Sequence, residues 1–175
     1  MKRVKQVIIA VLMLLSLSVR AVYASTPTWE ELPGHHSQSI LLKNGEKSSE
    51  DVIDSIARGT IMSTAAVGIT DQEDGTLYIT AHIFVHKNID KAYQTIFLDQ
   101  WDESSSKWIQ VGKWDFERSK EEEEDGELSM YRVAFIVSGC EVNYYYRARG
   151  MHYVQIGDDM EGKATRTNGV LLTKK

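Results

Sequence analysis

Two runs of residues carry chemistry worth weighing. In Asn143-Tyr144-Tyr145-Tyr146-Arg147-Ala148-Arg149-Gly150, strand alternation puts Tyr145, Arg147 and Arg149 on one face and Tyr144, Tyr146, Ala148 and Gly150 on the other. Between Ala92 and Trp101 the same period sets Tyr93, Phe97 and Trp101 against Ala92, Ile96 and Leu98. If these two strands are neighbours, aromatic rings and two arginines share one sheet surface. Such rings stack on sugars or anchor a protein partner, and arginine adds charged hydrogen bonds. A contiguous exposed apolar patch marks a contact surface. The competing reading covers this face with the N-terminal segment or a short helix and makes it a second small core.

Other reactive residues are poorly spaced for chemistry. His82 and His86 stand four apart on a strand pattern, which separates their Cα atoms by about 13 Å at about 3.3 Å per residue. His35-His36 has no third ligand at useful spacing, and zinc takes three or four. Glu121 to Asp125 reads as a solvated, self-repelling loop. Asp158-Asp159 with Glu161 lacks the alternating oxygen ligands of a calcium loop. No metal and no cofactor is expected. Neither a Gly-x-Ser-x-Gly elbow nor a His-Glu-x-x-His helix occurs, and nothing selects a carboxylate pair for glycoside hydrolysis. Cys140 is the single cysteine, so no intramolecular disulfide forms. With no basic neighbour to lower its pKa it reads as a small buried hydrophobe. The expectation is a protein that is not an enzyme, with no catalytic residues.

The elements that must position the aromatic face follow a targeting segment. Met1-Lys2-Arg3-Val4-Lys5 is basic, Val7 to Val19 is apolar, and Val22-Tyr23-Ala24 presents a small residue for cleavage. Residues 1–24 therefore read as a signal peptide of the bacterial Sec route. The apolar run falls short of the roughly 20 residues a membrane span needs, so no membrane association is expected after cleavage. The mature protein is expected outside the cell, free or held at its surface. Loss of Lys2, Arg3, Lys5 and Arg20 takes the formal net charge from −5 to −9. Such a charge repels phosphate backbones and argues against nucleic acid.

Residues 25–47, with Pro27 and Pro33-Gly34, read as a flexible lead-in on which Ile40-Leu41-Leu42 can pack down. Residues 48–175 read as one domain. Ser49 as a cap, Glu50 and Asp51 in a first turn, Val52, Ile53 and Ile56 on one face, and Gly59 as a stop predict a short helix. From Thr60 the period changes to 2. Strands are predicted at Ala65 to Ile69, Leu77 to Val85, Ala92 to Trp101, Trp108 to Phe116, Leu128 to Ser138, Val142 to Val154 and Gly169 to Thr173. About seven short strands with turn signals between them make an all-β antiparallel sandwich.

The strand Val142 to Val154, with an aromatic at its start and alternating apolar and arginine positions, resembles the sixth strand of fibronectin type III and immunoglobulin-like domains. That resemblance implies a corner role for Tyr144, its hydroxyl bonding back to the upstream backbone. From Ser55 to Thr173 the chain also resembles a family of small secreted proteins of unknown function from Gram-positive, Clostridia-like bacteria. Arg58-Gly59, Asp90-Lys91, Ile96-Phe97-Leu98, Trp108, Trp114, the Tyr144 to Gly150 block with His152, and Thr167-Asn168-Gly169 carry it. Cys140 and the Glu121 to Asp125 run depart from the pattern. The resemblance implies secretion and a β-sandwich and brings no activity.

These readings lead to a secreted binding module that recognises a glycan, a cell-wall polymer or a protein partner through Tyr93, Phe97, Trp101, Tyr145, Arg147 and Arg149. A bacteriocin-like effector or inhibitor acting on neighbouring cells is the alternative, and a small secreted hydrolase a third.

Overall fold

The computed structural model describes residues 27–36, 38–43, 45–55 and 60–175. The expected leader, residues 1–24, and the expected helix stop at Gly59 lie outside them. The described residues form nine strands where the sequence predicts about seven: β1 (Ser48–Asp54), β2 (Met62–Asp71), β3 (Leu77–Ile89), β4 (Lys91–Asp102), β5 (Lys107–Ser119), β6 (Leu128–Val137), β7 (Tyr145–Ile156), β8 (Asp159–Arg166) and β9 (Val170–Leu171). Helical structure is confined, among these residues, to two single 3-10 turns, Trp29–Glu31 and Lys120–Glu122.

The described residues are all-β, and their strands form two antiparallel sheets. One sheet has the order β1-β2-β3-β6 and the other β5-β4-β7-β8, with β9 also pairing β7. The two sheets face each other across a shared core. Val67, Ile69, Leu77 and Ile79 from the first pack with Ile96, Leu98, Tyr146 and Ala148 from the second. The period-2 pattern explains this directly, because Leu77, Ile79, Ala81 and Ile83 are all fully buried while Phe84 is exposed. The chain passes from one sheet to the other at Asp90, between β3 and β4. Its carboxylate accepts the Gly157 backbone N–H and the Lys120 ammonium, both at 2.6 Å. Those bonds, the backbone one foremost, hold its pKa below the ordinary carboxylate range.

The expected helix after Ser49 is a strand. Residues Ser48 to Asp54 pair in unbroken register with Thr70 to Thr64 of β2. The side chains that look like a cap and a first turn serve a different backbone. Ser49 Oγ accepts the Asn168 N–H at 2.9 Å, and the Asp51 carboxylate accepts the Arg166 N–H at 2.8 Å. The bonds tie β1, at the edge of its sheet, to the last residue of β8 in the other sheet and to Asn168 just after it. Tertiary pairing thus overrides a short local helix preference, which is marginal in isolation.

The lead-in docks on the outer face of the second sheet. Trp29 and Leu32 are buried with Met151 and Ala164, and Phe97 and Tyr153 pack against them. Burying an indole contributes on the order of 4–6 kcal/mol by area before the cost of ordering the segment. Its Nε1–H is shared between the backbone oxygens of Gly150 and Thr165, both at 3.1 Å. Pro33 O accepts the Ala164 N–H at 2.9 Å. Only glycine allows the next residue this close, since a Cβ on Gly34 would stand 2.1 Å from the Ala164 oxygen. Farther along, Leu42 and Gly169 exchange backbone bonds with the opposite segment at 2.8 Å.

Candidate functional site

Strands β4 and β7 are neighbours, and their register puts Tyr93 opposite Tyr153, Phe97 opposite Arg149 and Asp99 opposite Arg147. The nominated residues therefore lie along one outer stripe. The stripe has three parts with different surroundings.

Tyr93 occupies the far end. Its hydroxyl donates to Gln155 Oε1 at 3.4 Å, and it lies about 26 Å along the strand from Trp101, at about 3.3 Å per residue. It is no part of a site with the others.

The middle is organised by Asp99, 1% exposed. Arg149 reaches it through Nε at 2.8 Å and Nη2 at 3.0 Å, and Arg147 through Nε at 2.9 Å. The Arg149 guanidinium also sits over Phe97 at 4.7 Å and beside Trp29 at 5.6 Å. Arg147 lies over Trp108 at 4.5 Å, and Arg166 over Trp29 at 5.0 Å. Here the covered-face alternative describes the structure, because the lead-in roofs Phe97 and Arg149. Asp99 escapes a search for aromatics and bases, yet its place between Phe97 and Trp101 on the same face is readable. An acid in a stripe that faces two arginines is a demand for pairing.

The other end is open. Trp101 and Tyr145 line a cleft of about 520 Å³ with Asp102, Glu103, Ser104, Asn143 and Tyr144. Trp101 is steadied edge-on by Trp108, with ring centres 5.2 Å apart. Asp102 is held by the turn it begins, accepting from the Ser104 and Ser105 hydroxyls at 2.8 and 2.6 Å. These bonds keep its carboxylate ionised below the ordinary range. The cleft offers aromatic faces beside fixed acceptors, the combination that binds polyhydroxylated ligands. A second hollow, about 590 Å³, borders Phe97, Arg149 and Trp29. It lies against the docked lead-in, from Pro27 to Glu30.

Tyr144 does not fill the corner position. The hydroxyl that bonds back upstream belongs to Tyr146, which donates to Glu141 O at 3.0 Å. Strand β7 begins at Tyr145, after Asn143 with φ +65°. The inward alternation therefore starts at Tyr146, and Tyr144 is left 43% exposed at the cleft. Burial pushes the Tyr146 hydroxyl up to about 12. Tyr146→Phe is expected to cost about 1 kcal/mol, the net worth of one hydrogen bond, measured as a shift in urea midpoint at constant slope.

One arrangement has the spacing of nucleophile, base and orienting group. Thr165 Oγ1 lies 2.8 Å from His152 Nε2, and His152 Nδ1 lies 3.1 Å from Gln94 Oε1. All three are sealed, at 0%, 0% and 1% exposure. They line neither the cleft at Trp101, nor the hollow at Phe97, nor the hollow at Arg147 and Trp108. They are a polar tie through β4, β7 and β8. Cys140 is half-buried, and burial pushes its thiol pKa up, away from reactivity. Glu161 accepts the Ile61 N–H at 2.6 Å and the Met62 N–H at 3.3 Å.

Residues 30–170 match the sequence pattern of a family of unknown function, DUF6147. The chain belongs to that family. The DUF6147 match spans the docked lead-in from Glu30, every strand from β1 to β8, and the whole end cleft. No curated protein and no solved structure matches the chain significantly.

Proposed function

We propose that this DUF6147 member is a secreted, non-enzymatic module that binds a glycan in the cleft at Trp101. The observation that supports it is the open cleft itself, where Trp101, Tyr144 and Tyr145 stand beside Asp102, Ser104 and Asn143. Indole and phenol faces stack on the apolar face of a sugar ring, while carboxylate and amide oxygens accept from its hydroxyls. Asp102 keeps its acceptors fixed by turn bonds, which lowers the ordering cost of binding. Secretion from a Gram-positive bacterium belongs to the same reading, on the basic, apolar and small-residue order of residues 1–24. So does an immunoglobulin-like identity for the sandwich, which the Tyr146 bond to Glu141 supports.

The test is retention on insoluble cell-wall and plant polysaccharides. Trp101→Ala is expected to reduce retention at least tenfold while the near-ultraviolet dichroism of the remaining aromatics is kept. Equal retention by parent and variant sinks this placement of the site.

A further inference from the structure

Beside the cleft, and sharing Trp101 with it, lies a smaller pocket of about 180 Å³. Its walls are basic and hydroxylic: Arg147, Arg166, Ser39, Ser106 and Gln38, with Trp108 as a further side. Arg147 is 9% exposed. Its Nε donates to Asp99, its Nη1 donates to Ser39 Oγ at 3.2 Å, and its plane is fixed against Trp108. A guanidinium has five N–H donors in one rigid fork. The contacts just named use two of them.

Arg147, Arg149 and Arg166 gather around Asp99, and Asp51 and Glu30 also act on Arg166. Arg147 is disfavoured as a cation first by burial, which its bond to Asp99 opposes, and only then by Arg166 and Arg149. A small anion in the pocket would offset the burial of Arg147, whose planar guanidinium matches a carboxylate geometrically. The volume is below the roughly 300 Å³ at which pockets hold a whole small molecule, so it suits one substituent of a larger ligand. Trp101 supplies the link, because a sugar stacked on it presents its ring substituents to both spaces.

We propose that the Arg147 pocket is a subsite for the carboxylate of an acidic sugar within the glycan bound at Trp101. This rests on the glycan reading and makes it specific: the ligand carries isolated uronic-type carboxylates. A dense polyanion is disfavoured by Asp102 and Glu103 on the adjoining cleft.

The experiment compares two oligosaccharides by calorimetry. In one, glucuronic acid alternates with a neutral sugar; in the other, its carboxyl groups have been reduced to hydroxymethyl groups. The parent is expected to bind the first at least tenfold more tightly. Ser106→Asp places a carboxylate in the pocket without touching the core, at an exposed turn residue with φ +52° that aspartate tolerates. It is expected to lower affinity for the acidic oligosaccharide at least tenfold and so to erase the preference. Equal binding of both sugars by the parent overturns the subsite and leaves the glycan reading standing. A preference that survives Ser106→Asp overturns its location. Binding of neither overturns the glycan reading and the subsite together.

Discussion

Asp99→Asn is expected to lower the free energy of unfolding by about 3–5 kcal/mol, the cost of breaking a buried ion pair from one side. The substitution keeps the shape of the side chain and removes its charge. Arg147 and Arg149 then remain on a face where their side chains are only 11% and 14% exposed, with the carboxylate that both used gone. The cation–π contacts to Trp108 and Phe97 cannot replace it, being worth about 0.5–2 kcal/mol each. For a domain of this size the loss corresponds to a drop of roughly 10 °C in Tm, readable by calorimetry or by tryptophan fluorescence. A triple variant, Asp99→Leu with Arg147→Met and Arg149→Met, separates pairing from packing. It is expected to recover most of the loss, because apolar replacement of a whole buried ion cluster is often neutral or stabilising. If Asp99→Asn costs less than about 1 kcal/mol, within the range of a surface pair, water reaches the cluster and the lead-in does not seal it.

That cluster also shows where sequence reading stops. The period-2 runs of β3, β4, β6 and β7 are legible because each strand has one face in the shared core, and alternation is the direct imprint of that burial. The stripe from Tyr93 to Trp101 was therefore readable as a stripe. The N-terminal segment is legible as one candidate cover, but not which of its residues does the covering. Trp29 sits among prolines and polar residues with no period of its own, and its burial depends on Gly34 approaching the β8 backbone, a contact across 130 residues of chain. Strand β1 carries a helix-like signal because Ser49 and Asp51 are good acceptors for any nearby N–H. The sequence cannot say whether those N–H groups belong to the next turn or to residues 166 and 168. Tyr144 and Tyr146 lie two apart in one aromatic run, and only the start of β7 decides which of them points inward. The end cleft needs the turn after β4 to meet the turn before β7, a juxtaposition set by topology.

Stability is expected to fall as pH drops from about 6.5 toward 3, and His152 is the group responsible for the first part of that fall. Desolvation, with nearby His82 adding to it, lowers its pKa from 6.5 to about 3. The neutral ring is fully used. Gln94 Nε2 donates to Tyr131 O, which turns Gln94 Oε1 toward His152 Nδ1–H, and Nε2 is left to accept the Thr165 hydroxyl. A second ring proton would face that hydroxyl with no solvent within reach. The folded state therefore binds fewer protons than the unfolded chain between the two pKa values. The stability this group contributes is present in full above pH 6.5. It declines by at most 1.36 kcal/mol per unit as pH falls, to a ceiling of about 5 kcal/mol near pH 3. Carboxylates with lowered pKa, such as Asp90 and Asp102, act in the same direction only in the more acid part of the range. Urea unfolding at pH 7.5, 5.5 and 4.5 therefore isolates the histidine, especially beside His152→Gln, which cannot titrate. The parent is expected to lose about 2–3 kcal/mol over this range and the variant markedly less. Parallel losses in the two proteins would mean that His152 reaches water as the acid form, and that the Gln94–His152–Thr165 tie is looser than its zero exposure implies.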